Sequence, residues 1–503
     1  MSSIPQVLIQ NSAVNENQDS ILNTIRLTPN SFSNNTVVFV VPKAGTVLDH
    51  NSSLVWSVSW DDYNNTRLSN NQRVALKQLP GALPTLQRAR MYVGGRLLFT
   101  NQDVGQTVNI HKLSNNPDHW AEVEDIKLGS QHSYQLTTNG KVKAAEDVSS
   151  ANPEYNRLCR ALGSHSEVSG SNKSFEATVL LHELFPALKG GIQLPILYLK
   201  EEVRIEVDFV TNFADIACCY KSTNALGGIG CSIKNPLLFL DFLSYDPIVE
   251  AGIQESMAEG ITIPYREISY IQKQLPVTAV AQEYSNDILL GFQGKLLMKI
   301  YVAQRFADSI ATTNFGTGGG VEVTDTGYYR MQGRCRSQRG KNQKYNLIVN
   351  DIFIHDQNVD TASQQYNYLS MTTQDPVGIY PNAFDYNKVW NVGAAVTDKT
   401  DSSVIIGGDA STIAVITAAA VRDGMSSVQS WIGFDLSKYG PEGGVNPANS
   451  GFRVGSTPII LRIAQEGSAT AASPEASAKS IDVFCESVKI LQIRNGLVDT
   501  VDA

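Results

Sequence analysis

The sequence predicts an all-β fold, two β-sandwiches in tandem with short helices and long loops, on three observations. Apolar residues recur at every second position in runs of both halves, as half-buried strands require. Helical periodicity is scarce along all 503 residues. The two halves also close on a similar succession of elements. Sandwiches of about 200–250 residues fold as single domains, so two of them account for this length.

Residues 1–34, rich in Asn, Ser and Gln with isolated apolar positions such as Ile4, Val7 and Leu8, read as an N-terminal arm ordered against a partner or the protein body. The first sandwich spans 35–246. In Leu54-Val55-Trp56-Ser57-Val58-Ser59-Trp60, the residues Leu54, Trp56, Val58 and Trp60 share one strand face and the serines take the other. Thr36 to Val41 and Arg88 to Thr100 are also extended, the latter broken at Gly94-Gly95 by a turn or bulge. Residues 101–172 are polar and weakly periodic and read as elaborated loops, with a short helix over 153–162. After an apolar run from Phe175 to Leu184, Val203, Ile205, Val207 and Phe209 alternate with Arg204, Glu206 and Asp208. Leu237 to Leu243 is nearly continuous apolar sequence, as in a central strand. Trp56, Trp60, Ile205, Val207, Phe209 and Phe239 are the core residues expected of this half.

A connecting helix is predicted over 247–260. Asp246 caps its free amides, Pro247 takes its first position and Gly260 closes it. The second sandwich spans 261–503, and Pro264 suits an edge strand. Strands are expected in Ile261 to Leu275, Ile288 to Ala303, Tyr345 to Ile354, Ser430 to Phe434, Thr457 to Ile463 and Ile481 to Ile493. Between them lie a Gly-rich, basic insertion and an irregular, aromatic-rich region, 356–411.

His182-Glu183-Leu184 leads through Gly190-Gly191 to Leu194-Pro195-Ile196-Leu197 and the strand from Val203. Gly433-Phe434-Asp435-Leu436 leads through Gly443-Gly444 to Thr457-Pro458-Ile459-Ile460 and the strand from Ile481. This echo suggests two copies of one jelly-roll-like domain. A trimer of such chains presents six comparable wedges.

Forty Lys and Arg against 49 Asp and Glu give a formal charge of −9, which lacks the basic footprint of a protein that neutralises phosphates. Direct nucleic-acid binding is therefore not expected. The start does not resemble a signal peptide, and no run reaches the length of a membrane span. Six cysteines without a C-x-x-C pair point to a reducing compartment and buried packing, the adjacent Cys218-Cys219 included.

Chemistry-bearing motifs fail on inspection. His182-Glu183 lacks the second histidine of H-E-x-x-H, since Pro186 stands there, and Gly316 to Gly320 is followed by no Gly-Lys-Ser/Thr. The seven histidines fall beside no cysteine in metal-ligand spacing. No catalytic residue, cofactor or metal is expected. Arg330, Arg334, Arg336, Arg339, Lys341 and Lys344 form a basic contact loop suited to an acidic neighbouring subunit, or else to an anion.

The tandem β-rich halves, the HELFPALKGGIQLPILYL run within Phe175 to Phe209 and the junction LLFLDFLSYDPIVEAGIQESMAEGITIPY at 237–265 carry a family likeness. The chain resembles the double-jelly-roll major capsid proteins of icosahedral double-stranded DNA viruses, in the lineage of virophages, polinton-like viruses and adenovirus-like relatives. The resemblance implies a structural, non-enzymatic subunit of a virion capsid assembled in the cytoplasm or nucleus of a host cell. It implies a homotrimer meeting neighbouring capsomers, penton and minor capsid proteins, with loops 101–172, 304–344 and 356–411 as towers or capsomer contacts. Two other functions fit a β-sandwich chain: a carbohydrate-binding or carbohydrate-cleaving protein, suggested by the aromatic residues of 366–390, and a trimeric viral attachment protein.

Overall fold

The computed structural model describes residues 21–33, 35–62, 73–76, 82–113, 173–188, 193–210, 217–220, 229–276, 280–306, 342–373, 431–437, 451–456, 458–467 and 479–502. Strands of the first half are β1 (Ile21–Leu27), β2 (Ser31–Ser33), β3 (Thr36–Val41), β4 (Val47–Leu48), β5 (Ser53–Asp62), β6 (Arg73–Leu76), β7 (Leu86–Val93), β8 (Arg96–Asn101), β9 (Lys173–Leu180), β10 (Val203–Phe209), β11 (Ala217–Tyr220) and β12 (Ile229–Ser244). Helix α1 (Val104–Leu113) follows β8, and one helical turn, α2 (Leu181–Leu184), follows β9. Helix α3 (Pro247–Glu259) leads into the second half. There the strands are β13 (Ile261–Leu275), β14 (Glu283–Leu290), β15 (Leu296–Phe306), β16 (Lys344–Val349), β17 (Ile352–Phe353), β18 (Ile432–Asp435), β19 (Phe452–Arg453), β20 (Ile459–Glu466), β21 (Lys479–Arg494) and β22 (Leu497–Asp502), with helix α4 (Ala362–Thr373) after β17.

Four large antiparallel sheets result. Sheet I runs β1-β12-β5-β9 and sheet II β2-β3-β10-β7-β8; sheet III runs β13-β21-β15-β18 and sheet IV β14-β20-β16-β17. Take the eight strands common to both halves, from β1 to β12 and from β13 to β21, in chain order. In each half one sheet then reads first-eighth-third-sixth and the other second-seventh-fourth-fifth. Both halves also place a helix, α1 or α4, directly after the fifth strand. The fold is two jelly rolls in tandem, with the same strand order in each.

Alternation builds the sheets. Along β10, Val203, Ile205, Val207 and Phe209 are buried while the charged residues between them reach the outer face. One core gathers the inward faces of sheets I and II, including Phe39, Trp56, Met91 and Phe242; a second gathers those of sheets III and IV, including Leu297, Tyr345, Phe434 and Leu461.

The structure revises several expectations. Ile21–Leu27 falls within the stretch read as an arm, yet it pairs with β12, and its Ile25 and Leu27 pack partly against the first core. Residues 101–172 were expected to be loops with one short helix over 153–162, but Val104–Leu113, read as loop, is helical and buries Val104 and Val108. Region 356–411 likewise contains α4. The rest of both stretches, the helix expected over 153–162 and most of the 304–344 insertion lie outside the described residues. The echo of the two endings is out of register: Ile196–Tyr198 is a 3-10 turn, so β10 corresponds to β20, and the partner of β21 is β12. Proline at 195 sets up a turn, whereas Pro458 directly precedes a strand, and the dipeptide alone does not distinguish them.

Candidate functional site

The junction between the jelly rolls is the best-defined contact surface. Tyr265 on β13 meets Phe99 on β8 edge-on, with ring centroids 5.2 Å apart. Ile110 of α1 packs with Ile268, Tyr301, Trp431 and Phe484 on the outer face of sheet III. Beside this apolar contact, Tyr270 donates its hydroxyl proton to fully buried Asp482 at 2.8 Å, and Gln106 of α1 reaches the other Asp482 oxygen at 3.4 Å. The β21–β22 turn adds backbone bonds, from Lys200 N–H to the Gly496 carbonyl at 3.0 Å and from Asn495 N–H to the Met257 carbonyl at 2.9 Å. Ile261, Ile263, Leu491 and Ile493 join the first core outright. The first jelly roll thus offers its fifth-strand side, β8 with α1, to the second, which answers with sheet III.

The core residues expected from the sequence divide. Trp56, Ile205, Val207 and Phe209 are buried, and the Trp56 indole donates to Thr85 Oγ1 at 3.0 Å. Trp60 lies in β5 opposite Cys231; its side chain is outside the described residues. Phe239 is a correction: it is half-buried on the outer face of sheet I, while Leu238 and Leu240 fill the core. The register of β12 against β5 slips between Lys234 and Leu237, at Asn235 with φ +50°, and the slip exchanges inward and outward positions along the strand. Leu237 and Phe239, with Val55 opposite Leu237, therefore leave an apolar surface on the outside of sheet I.

The cap residues stand where α3 needs them. Asp246 accepts from Ile248 N–H at 2.8 Å, Pro247 opens the helix and Gly260 at φ +108° ends it, its N–H bonded to the Ser256 carbonyl. Of the basic loop, Arg330, Arg334, Arg336, Arg339 and Lys341 lie outside the described residues. Lys344 begins β16 and pairs with Glu283 of the same chain at 2.8 Å, which raises its pKa.

Outer faces of the two remaining sheets differ in chemistry. On sheet II, Arg90 spans Asp208 and Glu206 at 3.0 and 3.4 Å, Arg204 bonds Glu206 at 3.1 Å, and the Arg204 guanidinium lies 4.8 Å over Tyr92. On sheet IV, Arg462 forks onto Asp287 at 2.7 and 2.8 Å, holding that carboxyl below its ordinary range. The edge strand β17 exposes Ile352 (61 %) and Phe353 (47 %). Sequence reading missed this pair by taking Tyr345 to Ile354 as one run. The signal was Asn350-Asp351 between apolar pairs, both at positive φ in a two-residue hairpin turn.

Among the described residues, no group of three or more His, Cys, Asp or Glu is placed to hold a metal ion. His182 packs its ring 5.7 Å from that of His50. Cys485 is fully buried, and burial pushes its thiol pKa far up, which makes it inert. Among the described residues, no helix is long and apolar enough to cross a membrane.

No model of a known protein family matches the chain, and no curated protein sequence does. Solved structures do. The Sputnik virophage structure from cryo-EM aligns over 96% of this chain and 88% of that one, with a TM-score of 0.55 at 13% identity. The mavirus major capsid protein aligns over 95% and 90%, with a TM-score of 0.52 at 14% identity. PBCV-1 VP54, fitted into a reconstruction of Sputnik, aligns over 97% of both chains, with a TM-score of 0.52 at 10% identity. With the duplicated strand order and nearly full-length coverage, this chain carries the double-jelly-roll fold of the major capsid proteins of double-stranded DNA viruses and virophages.

Proposed function

We propose that the chain is a major capsid protein: a structural subunit, without enzymatic activity, that forms trimeric pseudo-hexagonal capsomers of an icosahedral virion. The observation that carries this reading is the repetition of one strand order in two jelly rolls fused through a buried junction. A rigid pair of like bodies contributes two of six wedges to a closed trimer, and such a block tiles a near-hexagonal lattice. We divide the chain as an arm, a first jelly roll to residue 246, the α3 connector and a second jelly roll from 261. Neighbouring capsomers, penton and minor capsid proteins are its partners in the virion shell.

Negative-stain images of the purified oligomer test this function. Flat pseudo-hexagonal blocks are expected. Slender trimers without flat sides support the attachment-protein alternative, and isolated single chains that retain a glycan support the carbohydrate-binding one.

A further inference from the structure

Beside the apolar cluster that α1 covers, the outer face of sheet III carries a charged row on three neighbouring strands. Lys299 of β15 stands directly opposite Asp435 of β18 on one side and Glu486 of β21 on the other. Opposed residues share a face, and the adjacent row on this one holds Gly433, Tyr301 and Phe484. Lys299 is 9% exposed and Glu486 6%, whereas a lysine is rarely buried without acidic partners. The Tyr301 hydroxyl marks how near both acids come. Burial pushes its pKa far up, and the charges of Glu486 and Asp435 push it further, against Arg266. Ser437 donates twice to Asp435 Oδ1, from its N–H at 3.1 Å and its hydroxyl at 2.5 Å. Arg266 holds the Glu486 carboxylate at 3.1 Å. Helix α4 packs on β18 closely enough that a Cβ at Gly433 would stand 2.6 Å from Thr372 Oγ1, which keeps water from that part of the face.

We infer that Lys299 and Asp435 become joined by an isopeptide bond that the folded chain forms by itself, with Glu486 carrying the protons. The Lys299 ammonium passes one proton through Glu486 to Asp435, leaving an amine beside a carboxylic acid. The amine nitrogen attacks Asp435 Cγ, and the negative charge that collects on Oδ1 meets the two Ser437 donors. The Cγ–Oδ2 bond then breaks, Glu486 moves a second proton from the nitrogen to the departing oxygen, and one water leaves. One N–C bond forms and one C–O bond breaks; nothing is oxidised or reduced. Glu486 ends as it began, a carboxylate paired with Arg266. Strand pairing holds amine and acid as fixed neighbours, which replaces an encounter in solution. A neutral amide in place of two charges also removes the cost of keeping them from water. The bond would secure β18, a strand of four residues at the end of sheet III. It would also close the base of the excursion between β15 and β18, which carries β16, β17 and α4, and a closed loop of that length restricts the unfolded chain.

The bond lies within one chain, so its test is independent of the trimeric reading. Intact-mass spectrometry of the purified full chain, fresh and after long incubation in native buffer, is followed by a peptide map. The incubated parent is expected to weigh one water less than its sequence, with a branched peptide that joins the Lys299 and Asp435 segments. Lys299→Arg and Asp435→Ala are expected to keep the full mass. Glu486→Gln is expected to stay unjoined while its circular dichroism matches the parent; a joined Glu486→Gln chain overturns its part as proton carrier. A parent that still has the full sequence mass after incubation overturns the inference, whatever the variants do, and so does a lost water that maps to another position.

Discussion

Trp56 shows how much one residue contributes to the first sandwich. Its indole is fully buried between the sheets, 6.1 Å from the Phe209 ring, and its N–H has a partner in Thr85. Trp56→Ala is expected to cost about 3–5 kcal/mol in denaturant unfolding, from lost burial and the cavity left behind. Thr85→Val keeps the shape but strands the indole N–H, at about 1–3 kcal/mol. A loss below 1 kcal/mol for the alanine variant contradicts this packing.

His355 carries a pH dependence. Burial holds its imidazole below the ordinary histidine range, against the weaker opposing pull of Asp356. Its ring sits 4.1 Å from Tyr368 and 5.8 Å from Phe434, tying α4 to the second core. The unfolded chain therefore binds the proton more readily, so this part of the stability is intact at neutral pH and is lost as pH falls below the ordinary histidine pKa. Denaturation midpoints are expected to drop between about pH 7 and 5 in the parent and to drop less in His355→Phe. A parent that gains stability over that range contradicts the sign.

At the scale of elements, α3 is short and faces water along much of its length, so its caps matter. Asp246→Ala is expected to cost about 1 kcal/mol. Gly260→Ala, at φ +108°, is expected to cost about 1–2 kcal/mol through backbone strain. Gly496 is under a tighter constraint: at φ +74°, an added Cβ would stand 2.5 Å from the Tyr198 carbonyl oxygen across the junction. Gly496→Ala is expected to lower the thermal midpoint more than Gly260→Ala does, and the reverse order contradicts the junction as described.

These elements also show which parts of the fold the sequence discloses. The limits of α3 were legible because Asp-Pro and Gly mark helix ends by local chemistry, and β10 because its alternation is unbroken. The outward turn of Phe239 was not legible. It depends on a slip against β5, where Leu237 pairs with Val55 from far earlier in the chain, and a continuous apolar run fits either face. The exposed edge of sheet IV and the junction between the jelly rolls were hidden for a similar reason. Ile352 and Phe353 look like any buried pair until β17 is known to lie at the edge of sheet IV. Phe99 and Tyr265 belong to different halves and meet only through the tertiary fold.

For the whole molecule, the repeated strand order and the buried junction join two like jelly rolls into one body. The Tyr270–Asp482–Gln106 network lies within that junction, where loss of one partner leaves a buried carboxylate less well satisfied. Tyr270→Phe is expected to cost about 1–3 kcal/mol without changing secondary structure, read by calorimetry and circular dichroism. The central claim is that these two parts are neighbouring wedges of a closed ring of three chains. The mass of the purified full chain in solution, measured by light scattering, tests it most directly: the account predicts three chain masses, and a single chain at every concentration or an even-numbered oligomer would contradict it.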